Sequence, residues 1–338
     1  MAMIDRYSRQ ALFAGIGQEG QTKLGHSYAV IIGCGALGTM IATTLVRAGI
    51  GKVRIIDRDF IELHNLQRQV LFDEEDISHN LPKAIAAERH LKKVNSAVEI
   101  EGIVADANYT NIEKLCQGAD VLLDGLDNLE TRFLINDVAL KHNIPWVYGG
   151  AITSLGMTMT IIPHQTPCLR CLFTNIPAGN LLLTCDTAGV IGPAPSIIGS
   201  LQSVEAMKIL VGAENINRDL IMIDVWEDKF NHFKIKTRED CPSCHGKFEF
   251  LEARFGTRTV ALCGQNAVQV LNTKPRKLSF TELEARLKAI GKVSYNEFML
   301  NLTVDTHEMV IFPDGRAIVK NTTDESLARA LYARYIGA

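Results

Sequence analysis

The chain has 338 residues, of which 47% are apolar and 22% charged, and its formal net charge is -3. These values are typical of a soluble globular protein and give no reason to expect a nucleic acid or a membrane surface as partner. The length predicts one large domain with a smaller one, and the absence of an apolar leader or a membrane-length apolar run favours a cytoplasmic location.

The first half of the chain alternates short β-branched runs with helical patterns. Strands are predicted at 28–32, 53–56, 98–104, 120–124 and 145–148, and helices at 36–48, 82–94 and 129–142. Apolar strands separated by helices are typical of a mostly parallel sheet covered on both faces. We therefore predict an α/β fold with a doubly wound, Rossmann-like sheet.

The second half first extends this sheet and then changes character. A strand at 156–162, a helix at about 197–211 and two antiparallel strands at 220–225 and 230–235 complete a domain spanning residues 1–247. A connector is predicted at 248–258. Residues 259–338 follow as a small α+β domain, with helices near 280–290 and 325–335, strands near 298–304 and 308–312, and a hairpin turn at 313–315.

A glycine-rich turn, Gly33-Cys34-Gly35-Ala36-Leu37-Gly38, joins the first strand to the next helix. Glycines at this spacing permit a tight turn, close approach of the backbone to phosphate, and close packing of the helix on the strand. Asp57 ends the following strand, where a carboxylate can bind a ribose hydroxyl. The pattern predicts a nucleotide site, but an NAD-dependent oxidoreductase would use the same features.

Charged residues further along the chain favour ATP chemistry over hydride transfer. Arg68 and Lys83 follow Asp57 and Asp59, and adenylation requires cations that hold the β,γ-phosphates as a leaving group. Asp127 follows the fourth strand, where a carboxylate can hold a phosphate-bridging Mg²⁺. The alternative for Asp127 and Asn128 is a helix N-cap, and for Arg68 and Lys83 it is a solvated surface position.

Four of the eight cysteines form two CxxC pairs, Cys168 with Cys171 and Cys241 with Cys244. Four thiolates with no open position suit a structural Zn²⁺, which would contribute to folding and not to the chemistry. The competing interpretation is a redox pair, yet neither pair lies at a βα turn of the thioredoxin type. Three further cysteines fall in or beside apolar runs and are expected to be buried: Cys34, Cys116 and Cys263.

An ordered series of motifs spans residues 6–244, about seventy per cent of the chain. It consists of RYSRQ at 6–10, GCGALG, Asp57 with Asp59, NLQRQ at 65–69, Pro82-Lys83, Asp127-Asn128, both CxxC pairs, and TAGV at 187–190. On these motifs the chain resembles the MoeB/ThiF family of adenylyltransferases, which is related to the ubiquitin-activating enzymes.

The resemblance implies roles for individual residues. The glycine loop and Asp57 would contact the nucleotide, Asn65, Arg68 and Lys83 would hold the ribose or phosphates, and Asp127 would bind Mg²⁺. Arg9 would reach the active site of the other protomer, which implies a homodimer with two composite sites. Cys185 matches a cysteine that in some relatives forms a covalent link to the activated carrier, so a nucleophilic or sulfur-relay role stays open.

The activity that the resemblance implies is ATP-dependent adenylation of the C-terminal glycine carboxylate of a small ubiquitin-like sulfur carrier, with release of pyrophosphate. A ThiS-like carrier of the thiamin pathway and a MoaD-like carrier of the molybdopterin pathway both fit, and another protein would supply the sulfur. The alternatives are an NAD-dependent oxidoreductase with a structural zinc and a non-catalytic docking scaffold. The C-terminal domain is expected to serve docking, dimer stability or stability alone.

Overall fold

The protein is described by a computed structural model that covers residues 6–173, 185–254, 259–262, 267–270, 278–304 and 306–337. Two compact units are present: Met1–Leu183 with Ala188–Arg254, and Phe255–Ala338 with the segment Thr184–Thr187. This boundary falls inside the predicted connector. The start of that connector packs on the first unit, because Phe250 is buried there and stacks on Phe133 with ring centroids 4.9 Å apart.

An eight-stranded sheet forms the centre of the first unit, in the order β3-β2-β1-β4-β5-β6-β7-β8. Strands β1 to β5 are parallel, and β6, β7 and β8 continue the sheet antiparallel. The predicted doubly wound fold with an antiparallel extension is therefore confirmed. The strands are β1 Tyr28–Ile32, β2 Lys52–Asp57, β3 Glu99–Val104, β4 Val121–Asp124, β5 Trp146–Ile152, β6 Leu155–Ile161, β7 Leu220–Asp224 and β8 Lys229–Phe233.

Helices cover both faces of this sheet. Alternate residues of β1 belong to opposite cores, with Ala29 and Ile31 in one and Val30 and Ile32 in the other. The helices up to residue 211 are α1 Ser8–Ala11, α2 Gly17–His26, α3 Ala36–Ala48, α4 Glu74–Ser78, α5 Lys83–Val94, α6 Ile112–Cys116, α7 Leu129–His142, α8 Leu169–Leu172, α9 Cys185–Ala188 and α10 Pro193–Val211. No described helix is long and apolar enough to cross a bilayer.

The strand order reverses beside β1, which pairs with β2 on one side and β4 on the other. The carboxyl ends of these strands lead into the glycine turn, Asp57 and the loop after Asp124. Ligands of open α/β sheets bind at such a switch point. The fold therefore brings the predicted nucleotide-binding segments to one edge of the sheet.

The second unit contains a six-stranded antiparallel sheet in the order β11-β12-β13-β14-β10-β9. The predicted hairpin turn at 313–315 joins β13 to β14, and Phe312 donates its backbone N–H to the carbonyl oxygen of Arg316. The elements are β9 Thr259–Leu262, β10 Ala267–Val270, α11 Phe280–Leu287, β11 Lys292–Tyr295, β12 Leu300–Val304, β13 His307–Ile311, β14 Ala317–Lys320 and α12 Glu325–Tyr335.

Candidate functional site

The three motif glycines of the turn after β1 have different tasks. Gly33 has φ +95°, and a Cβ there would lie 2.5 Å from the Gly125 backbone. A Cβ on Gly38 would lie 2.0 Å from the Gly33 carbonyl oxygen, so this glycine allows α3 to pack on the turn. A Cβ on Gly35 would meet no atom closer than 3.8 Å. The backbone is therefore locked at Gly33 and Gly38, while space remains over Gly35.

The N-terminus of α3 is available for an anion beside this space. Gly35 is the N-cap of the helix and contributes no side-chain cap, so no described side chain caps the first turn that begins at Ala36. Free N–H groups and the positive end of the helix dipole favour phosphate at such a position. The turn therefore fits a nucleotide phosphate.

Asp57 fixes the glycine turn to the end of β2. Its Oδ2 accepts a hydrogen bond from the Cys34 backbone N–H at 2.6 Å, and its Oδ1 accepts one from the Asp59 N–H at 2.7 Å. Burial raises the pKa of Asp57, whereas the nearby Lys83 ammonium lowers it. Each carboxylate oxygen retains a second lone pair that can accept from a ribose hydroxyl.

Lys83 is held by Asp59 at the same edge of the sheet. The Lys83 backbone N–H donates to the Asp59 carbonyl oxygen at 2.9 Å, and Nζ lies 3.4 Å from the Asp59 carboxylate. Its side chain is only 8% exposed. Burial lowers the pKa of Lys83, but the carboxylates of Asp59, Asp57 and Asp127 outweigh this and raise it overall. A buried lysine therefore stays cationic at the edge where phosphates would lie.

Arg58 is a second cation at this edge that the sequence analysis did not identify. Its Nη1 lies 2.7 Å from Asp106, just beyond β3, and its Nε lies 3.7 Å from Asp59. Burial lowers the pKa of Arg58, and the surrounding carboxylates, led by Asp106, raise it overall. The sequence could have indicated Arg58, because it lies between the two predicted site residues Asp57 and Asp59.

The NLQRQ turn lies against the glycine turn. Asn65 is buried, and its Oδ1 accepts from the Glu62 N–H at 3.0 Å. Arg68 is half-buried and donates to the His64 carbonyl oxygen at 2.9 Å. Gln69 Nε2 lies 3.9 Å from the point that a Gly35 Cβ would occupy, and among the described residues its buried Oε1 has no hydrogen-bond partner. An unsatisfied buried acceptor beside open space indicates a site built for a ligand with donor groups.

The loop after β4 places the predicted Mg²⁺ ligand at the same edge. Asp127 is exposed, and Asn128 caps α7 because its Oδ1 accepts from the Thr131 N–H at 2.9 Å. The N-cap interpretation therefore describes Asn128. Asp127 stays available to solvent, and magnesium in phosphate-transfer sites is held by one or two carboxylates plus the phosphates themselves.

A buried ion pair between Asp124 and Arg132 holds this loop in place. The sequence pattern did not predict it. Asp124 is fully buried and accepts from Arg132 Nε at 2.8 Å and from the Leu126 N–H at 2.9 Å. Arg132 Nη2 also donates to the carbonyl oxygens of Leu126 and Gly149, at 2.6 and 2.8 Å. The pair therefore ties β4, β5 and the first turns of α7 together beneath Asp127.

Arg9 does not lie near the glycine turn of its own chain. The neighbouring Gln10 donates to the Ala48 carbonyl oxygen at 2.9 Å, and the Tyr7 ring packs against Gly49. Both anchors lie at the C-terminal end of α3, whereas the glycine turn is at its N-terminal end. Since α3 has 13 residues, these ends are roughly 18 Å apart. That distance exceeds the length of an arginine side chain, and Arg9 is exposed.

The four CxxC cysteines converge, away from the glycine turn, into one cluster. Their sulfurs lie 3.9 Å apart for Cys168 and Cys171, 3.5 Å for Cys168 and Cys241, and 3.6 Å for Cys171 and Cys244. A tetrahedral Zn²⁺ with bonds of about 2.3 Å places its sulfurs about 3.8 Å apart. All four cysteines are free thiols, three of them buried. The cluster therefore fits zinc.

The remaining cysteines divide between buried and undescribed positions. Cys34 and Cys116 are 0% and 1% exposed and belong to the two cores, as predicted. The backbone of Cys185 begins α9, but its side chain lies outside the described residues, as does all of Cys263.

Comparisons with known proteins agree with this geometry. The ThiF family matches residues 7–243. The chain is 42% identical to the sulfur carrier protein ThiS adenylyltransferase of Bacillus subtilis (strain 168), over 99% of this chain and 100% of that protein. It is 34% identical to the sulfur carrier protein adenylyltransferase of Thermus thermophilus, over 71% of this chain and 90% of that protein. The crystal structure of E. coli MccB with ATP superposes with a TM-score of 0.62 and 26% identity, covering 71% of this chain and 74% of that one.

Proposed function

The chain belongs to the ThiF family, and on this basis we propose how its nucleotide site works. The protein is an adenylyltransferase that acts on a small sulfur-carrier protein. An oxygen of the carrier's C-terminal glycine carboxylate attacks the α-phosphorus of ATP. The new P–O bond forms as the bond to the bridging oxygen breaks, and pyrophosphate leaves. The attacking carboxylate is already ionised at neutral pH, so the step needs no general base.

The observation that carries this proposal is the cationic Lys83 buried between Asp57 and Asp59. Attack at phosphorus moves negative charge onto the departing pyrophosphate, and a preoriented cation stabilises that charge in a site that excludes water. Arg68, on the NLQRQ turn that lies against the glycine turn, would add a further cation. Transfer of hydride to or from NAD releases no phosphate, so it requires no cation to stabilise a leaving group.

Asp127 would hold the magnesium ion of the bound ATP. Its carboxylate supplies the oxygen donor that Mg²⁺ prefers, and the ion, when bound, neutralises charge on the phosphate oxygens. The Asp124–Arg132 pair beneath it holds the loop backbone in place, so Asp127 is presented without a change of conformation. Asp57 orients the ribose, and Asn65 helps to keep the turn that carries Arg68.

A ThiS-like carrier is the proposed acceptor. The alignment with the Bacillus subtilis ThiS adenylyltransferase continues through residues 259–338, whereas the Thermus alignment covers 71% of this chain. The second unit is therefore shared with an enzyme named for ThiS. A cytoplasmic location fits this proposal, because the cytoplasm supplies ATP and keeps thiols reduced.

Arg9 would complete the site of a partner protomer in a homodimer. Its anchors at the far end of α3 keep it from its own glycine turn. Leu12 and Phe13, which follow it, are 73% and 67% exposed and present apolar surface that a partner could cover. The dimer would thus have two composite sites related by twofold symmetry.

The direct test is exchange of labelled pyrophosphate into ATP, measured with a ThiS-like carrier and a MoaD-like carrier separately. We expect exchange with the ThiS-like carrier and none when its C-terminal carboxylate is amidated. A Lys83→Met variant should lose about 10²- to 10³-fold in exchange rate. Lys52→Met is the control, because Lys52 begins strand β2 at the end opposite to Asp57 and pairs with Glu99 on the surface.

The outcomes separate the competing functions. Exchange with the MoaD-like carrier alone would move the protein to the molybdopterin pathway. ATP binding without exchange would favour a docking scaffold, and binding of NAD in preference to ATP would favour an oxidoreductase. Equal exchange rates for the Lys83 and Lys52 variants would remove the assigned role of Lys83.

A further inference from the structure

Two adjacent polar residues of α7, Asn136 and Asp137, are fully buried, and the adenylation mechanism uses neither. A buried amide or carboxylate destabilises the fold unless its hydrogen bonds are made. The groups that bond Asn136 Oδ1 and the two Asp137 carboxylate oxygens therefore indicate what these side chains are for, while Asn136 Nδ2 has no partner among the described residues.

Asn136 holds the first cysteine turn. Its Oδ1 accepts the backbone N–H of Leu169 at 2.8 Å. Leu169 is the first helical residue of α8 and lies between Cys168, the N-cap of that helix, and Cys171. Fixing this N–H fixes the orientation of the turn from which both thiolates project.

Asp137 holds the second cysteine turn. One carboxylate oxygen accepts the Ser243 hydroxyl at 2.8 Å, and the other accepts the Phe250 backbone N–H at 2.9 Å. Ser243 is 3% exposed and lies between Cys241 and Cys244, at the start of the short 3₁₀ helix Ser243–His245. Asp137 therefore fixes both the turn and the chain that leaves it.

The two cysteine turns are far apart in sequence, yet neighbouring residues of one helix position both. We propose that Asn136 and Asp137 are positioning residues of the zinc centre, which hold the two turns at the separation that a tetrahedral ion requires. Hydrogen bonds of this kind behind the ligands set their orientation, and losing one weakens metal binding by about 10- to 100-fold.

The test measures zinc retention and not adenylation. Zinc is quantified in the purified full-length protein, and its transfer to an excess of a colorimetric chelator is followed in native buffer. The variants are Asn136→Leu, Asp137→Ala and Asp137→Asn. The matched control is Asn95→Leu, because Asn95 is also fully buried and bonds Tyr7 and the Val46 carbonyl oxygen on the other face of the sheet.

We expect Asn136→Leu and Asp137→Ala to release zinc at least about tenfold faster than the wild type. Asp137→Asn keeps one acceptor for Ser243 and should release zinc at an intermediate rate. Asn95→Leu should lower the urea midpoint but leave the release rate within twofold of the wild type. A variant that is less stable but releases zinc at the wild-type rate shows that loss of stability alone does not accelerate release. The comparison with Asn95→Leu therefore separates metal positioning from a general loss of stability.

Three results would overturn the proposal. They are wild-type rates in Asn136→Leu and Asp137→Ala, equally fast release from Asn95→Leu, and a wild-type protein purified without stoichiometric zinc. If Asn136→Leu does not fold, the graded rates of the two Asp137 variants decide the question. Because pyrophosphate exchange is not used, failure here leaves the proposed adenylation untouched.

Discussion

Replacing Arg132 by Met should be among the most destabilising single changes in the first unit. The Arg132 guanidinium donates to Asp124, Leu126 and Gly149. Its loss removes one donor from each of three acceptors, the buried Asp124 carboxylate and the carbonyl oxygens of Leu126 and Gly149, and a buried acceptor left short of a donor costs about 1–3 kcal/mol. Breaking a buried ion pair by removing one partner costs about 3–5 kcal/mol, which lies within that sum. For a unit of this size, that corresponds to a fall in Tm of about 6–20 °C.

The loss should also depend on pH. Burial already raises the pKa of Asp124, and Arg132 opposes that rise. Without Arg132 the pKa of Asp124 in the folded protein rises further above its value of about 3.9 in the unfolded chain. The folded protein then binds more protons than the unfolded chain between these two pKa values, so its stability falls as pH increases through that window. The variant should therefore be closer to wild type at pH 5 than at pH 8.

The assay is urea unfolding at both pH values, with two controls. Asp124→Asn/Arg132→Met removes both charges and should be more stable than Arg132→Met alone at pH 8. Lys23→Met removes an exposed partner of Glu19 and should change stability by less than about 1 kcal/mol. A loss below 1 kcal/mol for Arg132→Met, or the same loss at pH 5 and pH 8, would refute this account of the pair.

Three further predictions address the nucleotide site. Gly38→Ala should lower the Tm because the new Cβ would lie 2.0 Å from the Gly33 carbonyl oxygen. Gly35→Ala should have the wild-type Tm but a lower ATP affinity in calorimetry, and equal Tm losses in the two variants would contradict the open space over Gly35. Asp127→Asn should raise the Mg²⁺ concentration needed for half-maximal exchange and leave Tm unchanged, and an unaltered Mg²⁺ curve would exclude the carboxylate as ligand. Mixing and refolding the variants Arg9→Ala and Lys83→Met should restore about a quarter of wild-type exchange in a twofold dimer with composite sites; no restoration would exclude a contribution of Arg9 to the partner's site.

Local patterns were sufficient to predict the helices whose ends are marked by capping residues. The predicted bounds of α3, α7 and α12 agree with the structure, in which Gly49 and Asn143 end α3 and α7 in the left-handed conformation and Asn128 and Asp324 cap α7 and α12. The elements missed lack such a signal. Helix α2 buries only Gly20, Gln21 and Leu24, and β11 is a largely exposed edge strand. Neither shows an apolar period in the sequence.

The candidate nucleotide site could be anticipated because most of its residues follow the ends of predicted strands. Parallel strands bring those ends together, so the convergence of Gly35, Asp57 and Asp127 follows from the topology. Lys83 begins α5 and is positioned by its contacts with Asp59. The supporting contacts could not be anticipated in the same way. The Asp124–Arg132 pair and the bond from Asn136 to Leu169 depend on helix orientation, which the sequence pattern does not specify.

Helix α7 connects the cysteine cluster to the loop that carries Asp127. The sequence predicts a role in folding alone for zinc at that cluster. The helix begins at the cap provided by Asn128, next to Asp127, and Arg132 fixes its second turn to the strand that carries the site. One turn further, Asn136 and Asp137 bond the two cysteine turns. Because a helix moves largely as a rigid body, the metal turns and the Asp127 loop share one positional constraint. We therefore expect that a change at the cysteine cluster would reach the Asp127 loop through α7, without any contact between the metal and the nucleotide.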